Sequence, residues 1–370
     1  MTDKSIASEV LAQFADTPYA CTSLTKLSGG TGNFVYRGSL RHALPDGTDT
    51  VVFKHAKDYL ASNREFKLSP ERCLIEENAL RSLNDFPEST NTDSAEETPH
   101  ITVRTPHLLT SRPDTFTLVL ECLPNATDLK SLLVSAPDAL SRPHAVAIGR
   151  ALGIWLGSFH AWSAASAQTA LATQLEKNHL MRDLKFSINY DGIVRMVDSR
   201  PEILGESRAV FEQVRDMAAA EVGKTGGEGV GPIHGDFWSG NILLPKSTPT
   251  TTTLLVTDWE LTHVGPRALD LAQMLAELYQ LKHFKNIDAG EWIARAFIEA
   301  YPPLSDDMAF RTLIHVGVHF VFWGSVVPGW GDEEQVEGIV RLGRDLIVNA
   351  WGRERGFFEG TLWGCLFRGT

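Results

Sequence analysis

The chain has 370 residues, 43% of them hydrophobic and 22% charged, with a formal net charge of -12. That length exceeds one ordinary hydrophobic core and predicts two domains. The acidic balance excludes nucleic acid or an anionic membrane surface as the main partner. Four scattered cysteines with no C-x-x-C pair exclude a zinc site and a disulfide framework. Met1 to Phe14 lacks the apolar run of a signal peptide, so the expected location is cytoplasmic.

Ile6, Val10, Leu11 and Phe14 recur at helical spacing and predict a short amphipathic helix. Leu24 to Leu40 reads as strand, turn and strand, with Ser28-Gly29-Gly30-Thr31-Gly32-Asn33 at the turn. Glycines there let a backbone approach phosphate closely, although a plain β-turn fits equally well. Val51-Val52-Phe53-Lys54 is the next strand, with Lys57 a second cation nearby. Ser69 as cap and Pro70 in the first turn predict a helix to about Leu83. Its face carries Leu74, Leu80 and Leu83, with Glu71, Glu76 and Glu77 alongside. Residues 84–100 are polar and loop-like. Ile101 to Thr110 and Thr115 to Leu123 then read as two strands.

Beyond Leu123 the character is helical. Asp138 to Trp162 predicts a long amphipathic helix, with His160 near its end as a packed or solvated histidine. Residues 164–232 form an insert with a helix from about Pro201 to Val222. The fragment Gly223-Lys224-Thr225-Gly226-Gly227 fails as a phosphate loop, because position 218 is Ala where a glycine is needed and no strand precedes it. Pro266 is expected to begin a helix carrying Leu269, Leu271, Met274, Leu275 and Leu278, and further helices fall near 289–300, 305–323 and 333–350. Thr312 to Trp330 holds no Asp, Glu, Lys or Arg, yet His315, His319, Gly317, Gly324 and Pro328 mark a buried helix rather than a membrane span.

The chemistry concentrates in Ile233 to Leu244, Ile-His-Gly-Asp-Phe-Trp-Ser-Gly-Asn-Ile-Leu-Leu. Asp236 precedes Asn241 by five residues, and a second strand, Leu254-Leu255-Val256, delivers Asp258, Trp259 and Glu260. Two strands joined by the polar stretch Pro245 to Thr253 predict a hairpin that gathers Asp236, Asn241 and Asp258. Phosphoryl transfer needs such a set: one carboxylate to orient a hydroxyl, and hard oxygens to hold metal on the phosphates.

His-Gly-Asp-x-x-x-x-Asn followed by an Asp at a strand end resembles the aminoglycoside phosphotransferase and choline kinase superfamily, which has a protein-kinase-like fold. The triplet Asp258-Trp259-Glu260 and the run Gly265-Pro266 to Leu271 are similar to the methylthioribose kinase and hydroxytryptamine kinase branch. The resemblance implies a two-lobed α+β fold, with an ATP-binding lobe over 1–123 and a helical catalytic lobe over 124–370. It implies that Asp236 orients the acceptor hydroxyl, that Asn241 and Asp258 hold Mg²⁺, and that Lys54, braced by Glu76, meets the phosphates of ATP. Gly29, Gly30, Gly32 and Asn33 would cover those phosphates, and backbone groups of Glu121 and Leu123 would meet adenine. His234 is structural in this reading, and Asp270 braces the catalytic loop by hydrogen bonding.

The expected partner is a small-molecule hydroxyl acceptor. Glu260 and Trp330, with Trp323 and Asp332 to Glu334, suggest an acidic, aromatic pocket for an amine-bearing acceptor, against which a core role for both tryptophans stands open. A methylthioribose-like sugar or an aminoglycoside is the alternative acceptor. A protein kinase is disfavoured because Gly265-Pro266 follows Asp258 too soon for an activation loop. An inactive nucleotide-binding protein is disfavoured because Lys54, Asp236, Asn241 and Asp258 are all present.

Overall fold

The computed structural model describes residues 3–29, 31–90, 99–247 and 251–368. Gly30, most of the polar stretch before His100 (91–98) and the middle of the hairpin connection (248–250) lie outside the described residues. Two compact units are formed, of an α+β chain. One gathers Met1–Pro87, Thr105–Asn125 and Thr257–Glu260; the other gathers Glu88–Arg104, Ala126–Val256 and Leu261–Thr370. The boundary nearest to the expected one follows Asn125, and both units are discontinuous in the chain, which a single cut at Leu123 does not express.

The strands, in chain order, are β1 (Cys21–Lys26), β2 (Phe34–Leu40), β3 (Thr50–His55), β4 (Ser89–Thr90), β5 (His100–Arg104) and β6 (Leu108–Arg112). They continue with β7 (Thr117–Glu121), β8 (Ala126–Asp128), β9 (Val230–Ile233), β10 (Ile242–Pro245), β11 (Thr251–Val256) and β12 (His263–Pro266). The first unit is an antiparallel sheet in the order β1-β2-β3-β7-β6. Strand alternation turns Phe34 and Tyr36 of β2 inward. There they meet Val51 and Phe53, and Ile6, Val10 and Phe14 of helix α1 (Asp3–Gln13) complete the core. Helix α2 (Arg72–Leu83) packs on β6 and β7. It starts later than expected: the Ser69 hydroxyl accepts from the Glu71 N–H at 3.3 Å, and the helix follows.

The expected strand Ile101 to Thr110 is two strands in two sheets. Pro106 lacks an N–H and forces Thr105 away from regular pairing, so the chain breaks there. β6 pairs with β7 in the first unit, whereas β5 runs parallel to β11 in the second. The second unit's sheet has the order β4-β5-β11-β10-β8, and its β10–β11 pairing is the expected hairpin, Ile242 opposite Val256.

Around that sheet lie α3 (Leu129–Ser135), unforeseen and capped by Asp128, and α4 (Arg142–Ser163). α4 begins four residues after the expected start because Ser141 caps it and Pro143 sits in its first turn. The insert is almost wholly helical: α5 (Thr169–Leu175), α6 (His179–Phe186), α7 (Gly192–Ser199), α8 (Pro201–Leu204) and α9 (Arg208–Glu221). The single helix expected from Pro201 is interrupted by a 3₁₀ turn at Gly205–Ser207. Pro266 ends β12 rather than opening a helix, since its neighbours pair with β9, and α10 (Ala268–Lys285) follows. α11 (Asp288–Ala300), α12 (Asp306–Val326), α13 (Glu333–Trp351) and α14 (Arg355–Phe358) complete the unit. Among the described residues no helix, α12 included, is long and apolar enough to cross a membrane.

Candidate active site

In the first unit β3 carries Lys54 into a buried position. Its ammonium lies 2.6 Å from Glu76 Oε2 of α2 and 2.5 Å from Asp258 Oδ1. Glu76 also accepts the Trp259 N–H at 3.2 Å, so one carboxylate ties α2 to both. Lys57, the competing cation, pairs instead with Glu9 at 2.8 Å. Glu71 and Glu77 take no part; Glu77 pairs with Arg81.

Glu260 is buried, and its carboxylate accepts from Asn33 at 2.6 Å and from Arg72 Nε at 3.1 Å. Arg72 then donates to the Gly32 carbonyl at 2.9 Å, which fixes the glycine turn. A Cβ at Gly32 would stand 2.5 Å from Glu260, so glycine is needed there; Gly29 has φ of 98°. Oxygen atoms of Glu76, Asp258 and Glu260 lie within 4.8 Å of one another. Burial disfavours the Lys54 charge, but Asp258, Glu76 and Glu260 outweigh it and hold the ammonium protonated. Burial, with the neighbouring carboxylates, pushes Glu76 up to about 7 against the pull of Lys54, and pushes Glu260 upward as well. Asp258 is the more exposed carboxylate and has a left-handed φ of 70°. Glu121 closes β7: its N–H donates to the His107 carbonyl at 2.9 Å, and half-buried Leu123 follows.

In the second unit the loop after β9 is built on Asp270 of α10. Its carboxylate accepts the His234 N–H at 2.7 Å and the Gly235 N–H at 2.9 Å. His160 of α4, buried and also bonded to Tyr301, meets it at 3.2 Å. Gly235 has φ of 78°, and a Cβ would strike the Leu261 carbonyl at 2.3 Å. Phe237 points the other way, stacked on Trp155. Asp236 is thereby presented from a loop pinned on both sides. Its Oδ1 accepts from Gln273 at 2.7 Å and Lys185 at 3.2 Å; its Oδ2 accepts from Asn241 at 3.0 Å and the Trp238 indole at 3.2 Å. Burial would raise the Asp236 carboxyl, but Lys185 and Gln273 prevail and hold it below its ordinary value.

Trp330 is buried against Phe284, and the Lys130 ammonium stands 4.2 Å from its ring centroid. Glu260, also expected at the acceptor site, is engaged by Arg72 and Asn33 in the first unit. Trp323 donates its indole N–H to Asn189, and Asp332 caps α13.

The sequence reading did not single out Arg72, Lys185 or Gln273. Two had a local signal, since Arg72 lies one turn before Glu76 and Gln273 three residues after Asp270, each on a shared helical face. Lys185 comes from the insert and had none.

Residues 101–306 match the phosphotransferase enzyme family. Phosphotransferase FrzJ from Cladobotryum sp is 32% identical, over 98% of this chain and 96% of its own. The 4-hydroxytryptamine kinase of Psilocybe cyanescens is 25% identical over 90% and 88% of the two chains. A choline/ethanolamine kinase family protein from Mesorhizobium loti superposes with a TM-score of 0.47 and 14% identity, covering 98% of this chain and 99% of that one. The chain is a kinase of the small-molecule class, a phosphotransferase that uses a nucleotide to modify a hydroxyl. It belongs to the phosphotransferase enzyme family.

Proposed function

We propose that this enzyme transfers the γ-phosphoryl group of ATP, with Mg²⁺, to a hydroxyl of a small amine-bearing compound. The observation that carries the reading is Asp236, a carboxylate kept ionised by Lys185 and aimed by Gln273, Asn241 and Trp238. Such a group orients an acceptor hydroxyl and receives its proton as the phosphoryl group transfers. In the first unit Lys54, positioned by Glu76, offers a fixed positive charge to the phosphates. The turn holding Gly29, Gly32 and Asn33 is kept in place by Arg72 and Glu260, and offers backbone N–H groups. Glu121 and Leu123 would meet the base through backbone atoms.

The donor set suits Mg²⁺, which takes hard oxygen ligands and binds through one or two carboxylates plus phosphates. Asp258 is the carboxylate exposed enough to reach it, and Asn241 would add its amide oxygen. Bound there, the ion would neutralise phosphate charge. An amine on the acceptor fits the net charge of -12 and the substrate named for the Psilocybe relative. Trp330 and Glu260 stay in this reading as acceptor contacts, and Glu277, 3.1 Å from the Lys130 ammonium that faces the Trp330 ring, adds a carboxylate.

The test is a panel of hydroxylated amines against neutral polyols, with ATP and Mg²⁺, for wild type and Asp236→Asn. Amine acceptors should turn over best, and the variant should lose roughly 10²–10⁴-fold in kcat while still binding nucleotide. Preference for neutral sugars would move a methylthioribose-like acceptor ahead. Undiminished turnover in Asp236→Asn would remove the catalytic assignment.

A further inference from the structure

Lys130 of α3 is set in a cage that its own chemistry does not require. Its ammonium is 4.2 Å from the Trp330 ring centroid, 4.7 Å from that of Trp238 and 3.1 Å from Glu277 Oε2. Two indole faces and a carboxylate converging on one cation are what recognition of a ligand ammonium calls for. Two of the three walls are more deeply buried than their occupant, while Trp238 is half-buried. Trp330 is 6% exposed and Glu277 8%, and the second oxygen of Glu277 is held by His319 at 3.0 Å. The Lys130 side chain is 23% exposed on a flexible four-carbon stem.

The cage also connects directly to the reacting carboxylate. Trp238 donates its indole N–H to Asp236 Oδ2. Glu277 lies one turn beyond Gln273 on α10, and Gln273 donates to Asp236 Oδ1. A cation seated between the indoles is therefore one side chain, Trp238, removed from Asp236 on one path and two, Glu277 and Gln273, on the other.

We propose that this cage is the ammonium subsite for the acceptor, and that Lys130 is an internal stand-in which the acceptor's ammonium displaces. The proposal rests on the amine-bearing acceptor read above. Lys130 then acts as a competitor at fixed local concentration: it keeps the carboxylate paired between turnovers and raises the acceptor concentration needed for occupancy.

The probe is tetramethylammonium chloride, a cation without a hydroxyl, titrated against sodium chloride at equal ionic strength. Thermal unfolding of full-length wild type, Lys130→Gln and Lys130→Gln/Trp330→Leu is followed. Lys130→Gln should bind the probe about tenfold or more tightly than wild type, and the double variant should lose that gain. Equal responses in wild type and Lys130→Gln, or none in either, would overturn the proposal.

A second measurement needs no variant. Acetylation of Lys130 in wild type, read by mass spectrometry, should rise several-fold when saturating tetramethylammonium expels the amine to solvent; an unchanged rate at saturation overturns displacement. Neither experiment depends on turnover. Their failure leaves the kinase reading standing, and failure of the acceptor panel leaves the cation titration interpretable.

Discussion

Asp236 receives hydrogen bonds from Lys185, Gln273, Asn241 and Trp238, and the lysine among them brings a full charge. Lys185 lowers the carboxyl's affinity for protons, so removing it must raise that affinity. The acid limb of kcat in Lys185→Met should move to higher pH, with activity at a fixed mildly acidic pH reduced. A pH–rate profile unshifted from wild type would show that Lys185 does not tune Asp236. Asp236, Asn241 and Asp258 could be read as candidates because they sit in short runs with fixed spacing, and Lys54 and Glu76 because the family resemblance implied them. Lys185 meets its partner across 51 residues of chain, through an insert whose own helices carry no chemical motif. Glu260 shows the opposite limit. Its position two residues past Asp258 was legible, but its partners Arg72 and Asn33, 188 and 227 residues away, were not.

The long elements were readable for a different reason. α4 repeats Ile148, Leu152, Trp155, Leu156 and Phe159 on one stripe, and that periodicity survives any local context. The short pieces α5 to α8 carry too few turns for a period to show, so their existence is decided by packing. On α4 the stripe also includes glycines, for a reason visible only in three dimensions. A Cβ at Gly149 would meet the Ile293 carbonyl of α11 at 2.3 Å, and one at Gly153 the Phe297 carbonyl at 2.3 Å. Gly→Ala inside a helix normally gains about 1 kcal/mol. Here overpacking against backbone costs roughly 1–3 kcal/mol and wins. Gly153→Ala should lower the denaturation midpoint. Gly338→Ala on α13, where the nearest atom is a histidine side chain at 3.3 Å, should leave it unchanged or raise it. If both behave alike in urea melts, the α4–α11 contact is looser than described.

At the scale of the whole chain, acid is the condition to which the fold is most exposed. Burial lowers His55 of the first unit and His263 of the second to about 4, from an ordinary 6.5. His160 and His315 are lowered too. Between those values the unfolded chain binds protons that the folded one refuses, so stability is present above about 6.5 and drains away toward 4. Glu76 and Glu260 act in the opposite sense, two groups against four. The melting temperature should fall steadily on acidification across that window, and less steeply in His263→Gln; a flat profile would contradict the assignment. The discontinuity of the units has a consequence for synthesis. When residue 125 leaves the ribosome, the first sheet has every strand it needs, but Lys54 still lacks Asp258, and Arg72 lacks Glu260. β5 likewise has no β11 beside it until residue 256 is made. Removing one partner of a buried charge pair costs about 3–5 kcal/mol, so the nascent N-terminal portion emerges as a sheet with Arg72 lacking its carboxylate and Lys54 held by Glu76 alone. The ribosome must add more than a hundred residues before four of them, Thr257 to Glu260, return to finish it.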